Sequence, residues 1–315
     1  MAEKTKGRLI LLCVYLIAIS LGFWLNRFTP FNDPASQNSI LLKSALAVAI
    51  TVAIIFIGSF IFNNSSVFDP WWSVAPPLMV IFYFVAILQS TPIIQDKGYG
   101  IRDIFMSSPR IPIIFLFTLA DSFRLTCNFL RNWPGMKHED WRYIDFRTNT
   151  GKAYWIVSFS GIHFFPSLMV FGGTLSIWVT VVQGYRPMNI ADLLAILVTG
   201  YAILLEAAAD RQLRNFLSKN NDAGKTMNQG LWSLSRHPNY LGEILFWWGL
   251  YLFALAANPS FWWVIIGPLA ITLMFIFASI PMIEKRMLKR RKDYQAYREK
   301  VSMLVPWKIF KSPPS

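Results

Sequence analysis

Residues 231–257, LWSLSRHPNYLGEILFWWGLYLFALAA, place the densest polar group of the chain at the mouth of an apolar run. Pro238 has no amide hydrogen and a φ fixed near the helical value, so it suits the first turn of a helix through the Trp-rich segment. Ser235, Arg236 and His237 then fall at that helix's N-terminus, where free N–H groups and the positive end of the dipole favour an anion. Asn239, Tyr240 and Glu243 follow within a turn and a half, and Tyr240 and Glu243, three apart, are neighbours on the helix surface. A carboxylate carried into a bilayer is costly, which makes Glu243 a functional candidate. The plainer reading keeps Arg236 and His237 as interfacial residues, one of them paired with Glu243.

Outward from this stretch, 315 residues that are 54% hydrophobic and 15% charged, with repeated long apolar runs, imply an all-α polytopic membrane bundle of seven or eight transmembrane helices. The expected spans are 9–25, 40–62, 71–89, 111–130, 155–183, 189–209, 239–257 and 261–281. The fifth is too long for one straight crossing and carries Pro166, Gly172 and Gly173, so a kink, or a short surface helix ahead of it, is expected. Residues 1–110 read as a three-span scaffold and 111–315 as the catalytic region. No cleavable signal is expected, and Cys13 and Cys127, both in apolar runs, offer neither a disulfide framework nor a Cys-x-x-Cys site.

With the N-terminus inside, twenty-three of the thirty Lys and Arg residues fall on the cytoplasmic side and only Arg27, Lys97, Arg102, Arg110 and Arg186 on the other. This bias explains the net charge of +13 without a nucleic-acid partner. An integral protein of a bacterial inner membrane, both termini cytoplasmic, is the expectation, and oligomeric state is not legible.

Within the spans, Asp121, Arg124 and Asn128 share one face of the fourth, either as a helix-locking pair or as part of a substrate site. Glu206, Asp210 and Arg214 recur at every fourth position, either as an exposed ladder or as part of a site. Trp71 and Trp72 read as an interfacial anchor, and His163 as a satisfied core residue. The loop from Arg131 to Tyr143 is too rich in charge and aromatics to be a spacer. No metal site is expected: after His138-Glu139, position 142 is Arg where a zinc motif needs a second His.

The run Gly230, Leu231, Trp232, then Asn239, Tyr240, Leu241, Gly242, Glu243, resembles the C-terminal signature of the steroid 5α-reductase-like membrane enzymes. The bacterial branch of unassigned function is the nearest part of that superfamily. Arg131-x-Trp133-x-Gly135 followed by Glu139-Asp140-x-Arg142-Tyr143 is similar to a second pattern of that branch. The Arg236-His237-Pro238-x-Tyr240 core also resembles isoprenylcysteine carboxyl and phospholipid methyltransferases, distant kin. The resemblance implies NADPH held by Glu206, Asp210, Lys225, Arg236, His237, Asn239, Tyr240, Glu243, Glu284 and Tyr294; Tyr143, Asp140 and Asp121 are the candidates for the substrate end. Glu206 stands where the steroid enzymes often carry Asn, and Glu284 near their cofactor-binding His, which argues against an orthodox steroid 5α-reductase.

No Gly-x-Gly-x-x-Gly after a strand, Walker loop or Gly-x-Ser-x-Gly elbow is present, so soluble nucleotide folds and serine hydrolases are unsupported. The leading expectation is an NADPH-dependent reductase of a C=C bond in a hydrophobic lipid, isoprenoid or steroid-like substrate. The alternative is an S-adenosylmethionine-dependent methyltransferase. A lipid-binding or transport protein is the third class, though no internal repeat supports it. The charge bias also makes a topological prediction: a cysteine at position 225 should resist impermeant labelling from outside intact cells. Efficient labelling there would reverse the orientation.

Overall fold

In a computed structural model, described here for residues 2–25, 28, 37–90, 101–219 and 224–306, the chain is helical with one isolated bridge, Ser235 to Ser302. Among the described residues, eight helices are long and apolar enough to cross a membrane. Their central segments are α1 Ala2–Leu25, α2 Gln37–Ile61, α3 Trp71–Ser90, α4 Arg110–Asn132, α5 Phe165–Trp178, α6 Ile190–Lys219, α7 Pro238–Ala257 and α8 Ile266–Met274. The eight expected spans all correspond to helices, and the protein is an integral membrane protein.

The fifth crossing is segmented, as its length and breakers imply. A ten-residue helix, Trp141–Thr150, leads through a short turn and a π-helical stretch, Ser158–Phe164, into α5, which ends in a second π stretch, Val179–Gln183. The eighth crossing runs farther than its apolar core, through a π turn at Phe275–Ser279 into α9, Ile280–Arg290, followed by α10, Tyr294–Lys300. Glu284 therefore sits on a helix continuous with the membrane span.

Helix α6 shows how the bundle is solvated. Ala195, Thr199, Ala202, Glu206 and Ala209, spaced by threes and fours, are buried together with Asp210, while Leu193, Leu197, Tyr201 and Leu204 are exposed. Small and polar residues face the protein and large apolar ones face outward, the arrangement suited to hydrocarbon surroundings. Helix α7 meets this buried stripe through Gly242 and Gly249, two turns apart. A Cβ at Gly242 would lie 2.7 Å from Glu206 Cβ, and one at Gly249 2.2 Å from Thr199 Oγ1. The glycines let the backbones approach and bring the carboxylates of both helices into one space.

Both ends of the bundle are pinned by buried polar groups. Arg110, expected in a loop, lies buried at the start of α4. It pairs with Asp192 at 2.6 Å and donates to the carbonyls of Arg186, Pro187 and Ala256. At the other end the Asn64 amide donates to the carbonyls of Met136 and His138, and Ser65 N to Glu139. The turn after α2 is thereby fixed to the loop before Trp141. His163 is fully buried between Ser59 and the Ser158 carbonyl, a satisfied core histidine.

Gly249→Leu should lower stability by roughly 1–3 kcal/mol or more through overpacking against Thr199. Gly161→Ala, at a site with nothing within 4 Å of the added carbon, should be neutral or stabilise by about 0.5–1 kcal/mol. Unfolding in SDS-mixed micelles measures both, and equal effects would contradict the helix seam.

Candidate functional site

Arg124 on α4 is the centre of the largest buried ionic group. Its Nη2 lies 2.8 Å from Asp121 Oδ1 one turn earlier and 2.8 Å from Glu206 Oε2 on α6, and Nη1 lies 3.4 Å from Asp210 Oδ2. Asn128 donates to Asp210 at 3.2 Å and accepts from Arg214, while Asn239 at the start of α7 also hydrogen-bonds Asp210. The face shared by Asp121, Arg124 and Asn128 thus looks inward onto the face that carries Glu206 and Asp210. Their acids bond across to α4, so Glu206 and Asp210 form part of a buried site and not an exposed ladder.

Glu243 completes the group one turn inside α7. Its Oε1 accepts from the indoles of Trp72 at 2.5 Å and Trp247 at 2.8 Å. The Trp71–Trp72 pair is consequently not an interfacial anchor: Trp71 is buried, and Trp72 turns inward from the start of α3 onto the acid. Oxygens of Asp121, Glu206 and Glu243 all come within 4.8 Å of one another, a spacing that could hold a metal ion, and Arg124 supplies positive charge there. The balance is incomplete. Glu206 Oε2 meets Arg124 as an ion pair but outside hydrogen-bond geometry, and it and Arg124 Nε are buried without a hydrogen-bond partner. Orphaned polar atoms are costly in a low-dielectric interior, and a polar ligand or water would complete them.

A second network occupies the mouth of α7. Arg236 Nε donates to Glu284 at 2.7 Å, its Nη1 donates to the carbonyls of Arg298 and Val301, and its backbone N–H donates to the carbonyl of Ser302. His237 Nε2 lies 3.1 Å from the same carboxylate oxygen, Arg298 lies 3.2 Å from the other, and Tyr294 hydrogen-bonds Glu284 as well. The carboxylate that pairs with Arg236 and His237 is therefore Glu284, not Glu243, and the donors expected to meet an anion here are engaged by the chain itself. Burial holds the His237 imidazole below the usual histidine range, with Glu284 opposing, while burial pushes the Tyr294 phenol up. Lys225 is exposed on its loop, which Thr226 ties to α10 through Asp293.

A third group lies between the turn after α2 and the helix Trp141–Thr150. The Tyr143 hydroxyl donates to Asp69, and Arg142 bridges Asp140 at 2.7 Å and Asp69 at 3.8 Å. Asp140 is the N-cap of that helix, accepting from Arg142 N, so its carboxylate has a local structural task. Asp121 lies in the Arg124 group and not beside Tyr143. Tyr240 connects two of the groups: it stacks on His237 with ring centroids 5.5 Å apart and packs on Phe275 of the π turn, whose ring lies 6.2 Å from that of Trp72. Asp69 and Trp72 belong to these groups without any motif that marks them in the sequence; for Asp69 the one signal is an acid two residues ahead of a tryptophan-led apolar span.

Residues 55–301 match the family described as protein of unknown function (DUF1295). The chain belongs to that family. An uncharacterized protein of Schizosaccharomyces pombe, C594.04c, is 25% identical over 266 residues, spanning 78% of this chain and 73% of its own length. No solved structure matches. The matched DUF1295 region runs from α2 to the start of the segment after α10, so the interacting side chains of all three polar groups lie inside it.

Arg124→Met should leave Asp121, Glu206 and Asp210 without their shared guanidinium and lower apo stability by roughly 3–5 kcal/mol, the range for breaking a buried pair. Thermal unfolding in detergent reads this. A loss under about 1 kcal/mol, the size of an exposed pair, would mean the cluster is hydrated and not buried.

Proposed function

We propose that this protein is an NADPH-dependent membrane reductase acting on a C=C bond of a hydrophobic lipid, isoprenoid or steroid-like substrate, kin to the steroid 5α-reductase-like enzymes. One observation carries the reading: Glu206, Asp210, Asn239 and Glu243, residues the resemblance assigns to the cofactor, gather from two helices around Arg124 with buried polar atoms still unsatisfied. Intramembrane ionisable groups of this kind are functional by default.

The donor set fits part of the nucleotide. Carboxylates of Glu206 and Asp210 accept from ribose hydroxyls or an adenine amine, but they repel phosphates, which must meet cationic groups such as Lys225 on the adjoining loop. Arg236, His237, Glu284 and Tyr294 brace the C-terminal segment against α7 and hold Tyr240 in place. NADPH, when bound, supplies the hydride. On the protein's side, Tyr143, its proton held toward Asp69, is the proton-bearing group at the substrate end, and Asp140 positions its helix. The cytoplasmic face, richest in Lys and Arg, is where the nucleotide enters.

The methyltransferase reading keeps one specific support. Three carboxylates against one guanidinium, beside the indoles of Trp72 and Trp247, suit a sulfonium cation. Melting of detergent-purified protein with each nucleotide separates the two. NADPH at about a hundred times its Kd should stabilise by about 2.7 kcal/mol. Asn239→Ala and Glu243→Gln should lose that stabilisation. A response to S-adenosylmethionine alone would replace the reductase with the methyltransferase, and a response to neither would favour a non-catalytic lipid-binding protein.

A further inference from the structure

A groove of about 410 Å³ opens between α9 and the segment after α10, outside the Arg124 group. Lys285, Lys289 and Arg298 stand on its rim, and Ile280, Leu288 and Met303 form its apolar wall. The one carboxylate in it, Glu284, already meets Arg236, His237 and Arg298. Lys285 and Lys289, one turn apart and exposed, make no ion pair among the described residues. The groove therefore holds uncompensated positive charge over an apolar floor.

Its position selects the occupant. Leu273 and Phe277 are 43% and 74% exposed on the membrane helix that continues into α9, and Pro281, Lys285, Leu288 and Lys289 carry the same exposed side onward. One outward stripe runs from bare hydrocarbon-facing residues to a pair of lysines where the helix leaves the apolar span. Lysine ammonium groups bind phosphate as point charges, and interfacial pairs of them attract anionic headgroups. A molecule with acyl chains and a phosphate matches both halves of the stripe. A soluble phosphate compound would leave the apolar half bare.

We propose that this groove is a binding site for an anionic phospholipid, with the headgroup phosphate between Lys285 and Lys289 and the acyl chains along Phe277 and Leu273. The site lies apart from the Arg124 cluster, and the proposal is independent of which cofactor that cluster takes.

The test uses the full chain, delipidated in detergent, titrated with short-chain phosphatidylglycerol, short-chain phosphatidylcholine, inorganic phosphate or adenosine 2′,5′-bisphosphate and read by native mass spectrometry and melting. Phosphatidylglycerol should bind and raise the melting temperature where phosphatidylcholine does not. Lys285→Gln with Lys289→Gln should weaken that binding at least about tenfold, and the paired Lys→Arg variant should retain it. Both lysines are exposed, so apo melting of the variants should match wild type. Equal response to the two lipids, or phosphatidylglycerol binding unchanged in the Gln variant, would overturn the site. So would a response to inorganic phosphate or the adenosine bisphosphate that the Gln variant abolishes, since the groove would then serve a soluble phosphate.

Discussion

A single guanidinium inside the bundle sets the terms for the rest of this structure. Arg124 cannot give up its proton in a protein, so its charge must be met where it lies. Asp121 meets it from the same helix and Glu206 and Asp210 from α6, while Glu243 approaches from α7. That arrangement requires two helices to come closer than ordinary side chains permit, and Gly242 and Gly249 supply the room. Replacing one partner strands the others in a medium that solvates charge poorly, which makes the cluster expensive to damage and a weak source of net stability.

The surrounding polar groups fix the frame around that cluster. The Arg110–Asp192 pair closes the bundle at one end, and the clasp between the turn after α2 and the loop before Trp141 closes it at the other. Glu284 gathers Arg236, His237, Arg298 and Tyr294, so the C-terminal segment folds back over the mouth of α7. Tyr240, stacked on His237 and packed on Phe275 of a π turn, joins this brace to the cluster. π turns often accompany functional sites because they re-aim side chains within a helix.

Much of this is legible in the sequence. Apolar runs imply seven or eight spans because hydrocarbon thickness fixes helix length, and the spacing of Asp121, Arg124 and Asn128 marks one shared face, whereas the spacing of Glu206 and Asp210 is equally that of an exposed ladder. Pro238 marked the start of α7 through its missing amide. What escaped depends on which helices meet. Trp72 read as an interfacial residue because an indole at a span's end ordinarily sits there, and only the packing of α3 against the rest turns it onto Glu243. Arg236 and His237 read as donors awaiting an anion because nothing in the local sequence shows that Glu284, far along the chain, returns to occupy them. Asp140, a candidate for the substrate end, also caps the helix that follows it, a task that only backbone geometry shows.

The central claim is that the Arg124 cluster is kept for a ligand and not for stability. The most direct measurement replaces it as a unit, with Asp121→Leu, Arg124→Met, Glu206→Met, Asp210→Leu and Glu243→Met in one chain, and compares apo melting and nucleotide-induced stabilisation with wild type. A buried ionic group exchanged whole for apolar side chains of similar volume is often neutral or stabilising by about 1–4 kcal/mol. Apo stability should be kept or raised and the nucleotide response should vanish. A collapse of apo stability, or a nucleotide response that survives, would contradict the claim.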